Sequence, residues 1–371
     1  MRIIAALIGA MLLYELQRIL YSRFWNKNLT VELCLSDDMA VEGDSLSLIE
    51  TITNQKLLPI PVLKIKYMVS KYLIFLDTRQ TELTDHTYRN DLFSLMMYQK
   101  LTRNIPFLCT KRGYYTIDKI TLVCNDILLE SELVAGAETK LQLYVYPRPI
   151  EYSQLQIPFQ NLFGSVLTKR LLYEDPFEFK SIREYQSFDT MKTINWKASA
   201  KSGCLMVNVH DHTASQQIKI LLNLESDTLR KHEELIEESI RLAATFAAYF
   251  IEQGIPTALY TNALAVISRE VLSAPAGSGY SHIRTINETL ARIDDTLTPP
   301  SFLRVIGEDL KSFHQNDFIL LISSYQRMDL QHTMSDLSRN KTNFTWIVPV
   351  SKEVELTVEG DLLKYAIPWT I

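Results

Sequence analysis

Gln217–Gly254, read QIKILLNLESDTLRKHEELIEESIRLAATFAAYFIEQG, holds a strand and a helix in succession. Ile218–Leu222 is nearly continuous in apolar residues, as a strand buried on both faces requires. Over Leu229–Gln253 the period changes, and Ile236, Ile240, Ala243, Ala247 and Phe250 recur at helical spacing. Asp227 is placed to cap the helix, Glu233, Glu234, Glu237 and Glu238 line its solvent face, and Gly254 suits a left-handed stop. The alternation continues with strand Thr257–Thr261, helices Ser281–Ile293 and Ser301–Phe313, strand Phe318–Ser323, helix Leu330–Arg339 and strand Phe344–Val348. Such alternation predicts an α/β domain over 213–371, with a mainly parallel sheet covered by helices on both faces.

Working outward, the region from about Thr30 to Pro149 has a period of two. Val31, Leu33 and Leu35 alternate with polar residues, as do Val62–Tyr67 and Leu141–Tyr146, and turns punctuate the runs at Glu42-Gly43-Asp44, Thr53-Asn54 and Lys111-Arg112-Gly113. This predicts an antiparallel β-sandwich over 30–149. Ahead of it, Ile3–Tyr14 is an uncharged apolar run of about 18 Å as helix. Extended to Tyr21, with Arg18 snorkelling, it approaches the roughly 20 residues that cross a bilayer. No small-x-small cleavage site follows, so residues 1–24 read as a retained membrane anchor rather than a signal peptide. Arg18, Arg23 and Lys27 follow the segment and only Arg2 precedes it, which predicts a single-pass protein of the cell membrane with the bulk of the chain in the cytoplasm.

The 371 residues are 47% hydrophobic and 22% charged, the balance of a globular protein with two or three folded units. The net charge of −5 and the lack of a basic run argue against nucleic-acid binding. Only 11 glycines occur, under half the usual share of about 7%. The one dense pair, Gly277-Ser278-Gly279, has His282 where a third dinucleotide-loop Gly would fall, and no GxxxxGK[ST] is present, so neither a bound nucleotide nor another cofactor is expected. Cys34, Cys109, Cys124 and Cys204 lack CxxC spacing and read as reduced, mostly buried thiols. His210-Asp211-His212 lacks a third ligand and reads as a solvated strand end, whereas His232-Glu233-Glu234-Leu235-Ile236 lacks the second His of a zincin helix. No G-x-S-x-G elbow occurs, and the expectation is a protein that is not an enzyme.

Residues 150–212 form a segment linking the two domains, densest in charges and aromatics. Here Glu178-Phe179-Lys180-Ser181-Ile182-Arg183-Glu184-Tyr185, then Asp189, Lys192 and Ile194-Asn195-Trp196-Lys197-Ala198-Ser199-Ala200, closely resemble the signature of the bacterial domain-of-unknown-function 58 family. Arg112-Gly113-Tyr114-Tyr115 and Val145-Tyr146-Pro147 are similar to that family's sandwich motifs. The resemblance implies a membrane-proximal anchor, a β-sandwich and a Rossmann-like von Willebrand factor A-like domain. It also implies a MoxR-type AAA+ ATPase as partner, with an adaptor role in assembly or maturation of other proteins. Phe188 departs from the family's Gly, and Lys192 from its Arg, which loses the planar fork. Family members commonly carry two amino-terminal membrane helices, and one is visible here.

Two candidate sites follow. Arg183, Glu184, Tyr185, Asp189, Lys192, Trp196 and Lys197 form either a partner-recognition surface or an internal clasp between the domains. The resemblance also places a von Willebrand A ion loop at Asn223-Leu224-Glu225-Ser226-Asp227, where Asn223, Glu225 and Asp227 replace the usual Asp and two Ser, and Ser323-Ser324 sits where a later Asp is expected. This degenerate loop is expected to hold no metal, with Asn223 and Glu225 satisfying backbone groups. The leading reading is a non-enzymatic membrane-anchored adaptor binding through this edge. Alternatives are a metal-dependent adhesion module, and an enzyme using the loop's carboxylates as acid and base.

Overall fold

The computed structural model describes residues 2–76, 81–83, 86–151, 153–155, 159, 179–185, 194–210, 217–227, 232–314, 317–339 and 343–371. They form two compact units, residues 1–148 with 290–293, and residues 149–289 with 294–371.

The first unit opens with helix α1 (Arg2–Phe24), whose Ile3–Phe24 segment has mean hydropathy 1.7 and is long and apolar enough to cross a membrane. Ten strands follow: β1 (Leu29–Leu35), β2 (Met39–Val41), β3 (Ser45–Asn54), β4 (Ile60–Ser70), β5 (Leu73–Phe75), β6 (Thr81–Leu83), β7 (His86–Leu95), β8 (Lys100–Cys109), β9 (Gly113–Asn125) and β10 (Glu132–Tyr146). They make two sheets, in orders β1-β3-β8-β5 and β2-β10-β9-β4-β7-β6, antiparallel except for β2 beside β10. Alternation drives this arrangement: in β1, Leu29 and Leu33 are buried while Thr30, Glu32 and Cys34 face solvent. Leu48, Ile52, Ile65, Ile105, Phe107 and Leu122 belong to the core so formed, and Tyr21 and Trp25 at the end of α1 join it.

In the second unit, β11 (Phe179–Glu184) pairs antiparallel with β12 (Met206–His210), with α2 (Trp196–Ser202) between them. Then come β13 (Ile218–Asn223), α3 (Glu233–Glu252), β14 (Thr257–Leu264), β15 (Val271–Gly277), α4 (Tyr280–Ala291), α5 (Phe302–Ser312), β16 (Phe318–Ser323), α6 (Met328–Arg339), β17 (Asn343–Val350) and β18 (Ala366–Thr370). The sheet order is β15-β14-β13-β16-β17-β18, parallel throughout except for β15. Of the central strands, β16 is buried along its whole length and β13 everywhere but at Lys219.

Several local expectations change. Helix α3 starts at Glu233 rather than near Leu229, and its N-cap His232 makes no side-chain cap bond, so Asp227 does not cap it. Gly254 does end the helix in the left-handed region, at φ 74°. Strands β15 and β18 escaped the sequence pattern because each carries a proline and much exposed chain, the marks of edge strands. Cys109 and Cys124 are buried, but Cys34 and Cys204 are exposed, so the thiols are not mostly buried.

Candidate functional site

Parallel pairing puts Asn223, the last residue of β13, opposite Ser323, the last residue of β16. The chain leaves the sheet at both points, which is where open α/β sheets gather loops. Asn223 is buried and donates its amide to Ser323 Oγ at 3.2 Å. Its Oδ1 accepts from Glu225 N at 2.9 Å and from Asn262 Nδ2 at 3.1 Å. Asn262, also buried, returns a bond by accepting from Leu224 N at 3.0 Å. The turn after β13 is thus held by two interlocked amides, one of them on β14.

The two acids turn outward from this knot. Glu225 Oε2 accepts from Phe302 N at 3.0 Å, serving the first turn of α5, where Ser301 makes no side-chain cap. Burial raises the Glu225 carboxyl above the usual range, and the Phe302 N–H opposes that rise. Asp227 Oδ2 accepts from Gln326 N at 2.9 Å, and Arg327 donates to Asp227 O at 2.9 Å. The Arg327 guanidinium also lies 3.3 Å from Asp227 Oδ1, an ion-pair contact without hydrogen-bond geometry. Nearby, Tyr325 donates to Asp329, and burial followed by that bond pushes the phenol up to about 12.

These residues do not fit a divalent cation. Both lone-pair directions of Asn223 Oδ1 take N–H donors, Glu225 caps a helix, and a permanent cation already stands beside Asp227. The cavity beneath the loop, lined by Glu225, Asp227, His232 and Ser324, measures about 20 Å³, room for one water. Among the described residues no cluster of three His, Cys, Asp or Glu side chains could hold a metal. On the outer side, Asp227, Gln326, Arg327, Met328, Asp329 and Glu359 border an open groove of about 590 Å³.

The signature segment is only partly gathered. Arg183 and Glu184 end β11, with Arg183 in register with Val207, and Glu184 is exposed. Tyr185 is half-buried, its N–H donating to Leu205 O at 2.8 Å. Trp196 opens α2 at 65% exposure and Lys197 beside it is exposed too, whereas Asp189, Lys192, Asp211 and His212 lie outside the described residues. Sequence reasoning passed over the two residues that shape this turn. Asn195 caps α2 by accepting from Ala198 N at 2.9 Å. The buried Ser199 donates to Asn195 O at 2.7 Å and accepts from Met206 N at 2.8 Å, tying α2 to β12. The signal was present, since Asn three residues before the amide it serves is an N-cap spacing.

No curated protein matches the chain. Solved structures similar to parts of it include a CARDB domain from Pyrococcus furiosus, 18% identical over 32% of this chain and 91% of that one, at TM-score 0.21. Another is the Escherichia coli alpha-2-macroglobulin from domain MG7 to its C-terminus, 22% identical over 32% of this chain and 16% of that one, at TM-score 0.24. Neither likeness carries a structural conclusion. The family model described as "Protein of unknown function DUF58" matches residues 181–362, from β11 through the sheet-edge loops, and by that match this part of the chain is a DUF58 region.

Proposed function

We propose that this chain is a non-enzymatic, membrane-anchored interaction protein whose second unit is von Willebrand factor A-like and binds a protein partner at the carboxyl edge of its sheet. The partner class the family resemblance favours is a MoxR-type AAA+ ATPase, acting in assembly or maturation of other proteins. The observation that carries the reading is the fate of the loop oxygens. Asn223, Glu225 and Asp227 are spent on the protein itself, and Arg327 supplies the positive charge an ion would bring, beside an open groove rather than an enclosed pocket. Sheet order β15-β14-β13-β16-β17-β18 with one antiparallel edge supports the von Willebrand A-like assignment. Exposed Met328, at the groove's rim, and Trp196 are residue types favoured as interface anchors.

The test is affinity capture of the full chain from detergent-solubilised membranes, with and without ATP, comparing wild type with Met328→Glu and Trp196→Ala. Both side chains are exposed, so folding should persist. An AAA+ ATPase that co-purifies with wild type and is lost with Met328→Glu supports the reading and locates the edge. Absence of any ATPase, or equal capture by Met328→Glu, overturns it.

A further inference from the structure

We infer that the pole of the sandwich from which α1 emerges is seated in the surface of a lipid bilayer, with three hairpin tips entering the lipid interface beside the helix. This rests on the reading of α1 as a membrane helix.

The strand ends place the β3–β4, β7–β8 and β9–β10 connections at one pole. Asn54, ending β3, faces Leu29 at the start of β1, Ile60 of β4 faces Leu95 of β7, and Asn125 of β9 faces both Val62 of β4 and Glu132 of β10. Each of the three tips exposes large apolar side chains: Leu57; Met96-Met97-Tyr98; and Ile127-Leu128-Leu129, all more than half exposed. Among the described residues the opposite pole turns on Ser36-Asp37-Asp38, Glu42-Gly43-Asp44, Lys71-Tyr72 and Lys111-Arg112. Apolar residues scattered singly need no explanation, but two clusters together with Leu57 on one pole do.

The backbone adds a second observation. Tyr98 and Leu129 sit in the left-handed region, at φ 51° and 61°, where a turn ordinarily takes Gly or Asn. Large apolar residues held at strained tip positions point to a use for their side chains.

The helix names the occupant. Tyr14, Gln17 and Tyr21 recur on one face of α1, Trp25 follows its last turn, and together they join the helix to this same pole. Tyr14 donates to Glu130 Oε2 at 2.6 Å, and Tyr21 to Pro59 O at 2.7 Å, while Gln17 approaches Asp126 at 3.4 Å. Lys56 donates to the carbonyls of Trp25 and Lys27, and its own carbonyl accepts from Tyr98 N, linking the β7–β8 tip to the helix base. About 15 Å of α1, from Tyr14 to Phe24, therefore runs beside the sandwich. Were all of Ile3–Phe24 inside hydrocarbon, Asp126 and Glu130 would be drawn in with it, at a prohibitive cost for carboxylates. The lipid boundary instead crosses the helix near Tyr14, an interfacial residue type, so that Ile3–Leu13, about 17 Å of helix, enters the hydrocarbon while the rest of α1 and the three tips packed along it lie in the headgroup layer.

The experiment places the fluorophore NBD on single cysteines of the full chain in phosphatidylcholine vesicles, with Cys34 and Cys204 replaced by serine and buried Cys109 and Cys124 kept. Sites are Leu7→Cys on the helix, Met97→Cys and Leu128→Cys on the tips, and Lys71→Cys on the far pole. Doxyl-labelled lipid is expected to quench Met97 and Leu128 labels about two-fold, as for groups about 5–10 Å into the interface, and to leave Lys71 unchanged. Quenching at Leu7 with none at Met97 and Leu128 overturns the proposal alone. No quenching at Leu7 overturns the membrane reading of α1 and the proposal with it.

Discussion

Glu50 on β3 lies inside the sandwich, fully buried, and replacing it with glutamine should change how the fold responds to pH. Buried Asp91 takes both nearby arginines: Arg89 bonds it at 2.6 and 3.1 Å, and Arg103 at 3.0 Å. Glu50 has Tyr67, whose Oη is 2.8 Å from Oε1, and its other oxygen has no hydrogen-bond partner. The same Tyr67 Oη lies 3.2 Å from Asp91 Oδ2, and one phenol proton cannot serve two ionised carboxylates. A protonated Glu50 resolves the conflict by donating to Tyr67, which then donates to Asp91. Burial, followed by the Asp91 charge, accordingly pushes the Glu50 carboxyl up to about 7 from 4.5. Because the native state holds the proton more tightly, this carboxyl contributes fully below about pH 4.5, and its contribution is lost as pH rises through about 7. The difference between 4.5 and about 7 corresponds to at most about 3–4 kcal/mol, and relaxation of the polar cluster leaves about 1–3. Glu50→Gln cannot ionise, so it should match wild type at pH 5 and exceed it by that amount at pH 8. Hydrogen exchange of β3 and β4 amides, compared between the two proteins at each pH, reads opening of the sandwich itself. The variant should be protected about 10- to 100-fold more at pH 8. Parallel behaviour of wild type and variant from pH 5 to 8 would refute the protonated network.

Asn223→Ala removes bonds to Ser323, Glu225 N and Asn262 at once, leaving buried polar groups unpaired, and should cost about 2–4 kcal/mol in chemical denaturation of the second unit. Ser199→Ala breaks the bridge between α2 and β12 and should cost about 1–2 kcal/mol, visible as faster exchange of the Met206 amide. Burial raises Cys109 and Cys124 to about 11, so an aromatic disulfide reagent should modify two thiols in the native chain and four in denaturant.

The parallel sheet was legible because Ile218–Leu222 and Phe318–Ser323 are apolar on both faces, a pattern few other elements share. The carboxyl-edge location of Asn223, Glu225 and Asp227 followed from it. Their partners did not, since Phe302 and Gln326 are about 77 and 99 residues distant and local spacing carries no information at that range. Asp227 was misassigned as a cap because helix propensity between Leu229 and Glu233 resembled the helix proper, and only the start at Glu233 shows where the first turn forms. The buried cluster of Glu50, Arg89 and Asp91 was invisible for a related reason. In strands, charged residues at alternate positions read as solvent-facing, and only sheet-on-sheet packing reveals that these face inward.

The joint between α1 and the sandwich has almost no slack, since Trp25 is already in the core four residues before β1 begins at Leu29. A domain on a floppy tether tumbles and can meet its neighbours in any attitude. On the membrane reading proposed above, the sandwich stands upright on its helix, and copies in one membrane encounter each other with the same pole down. Any twofold pairing of sandwiches then has its axis along the membrane normal, and pairings that invert one sandwich are closed to it.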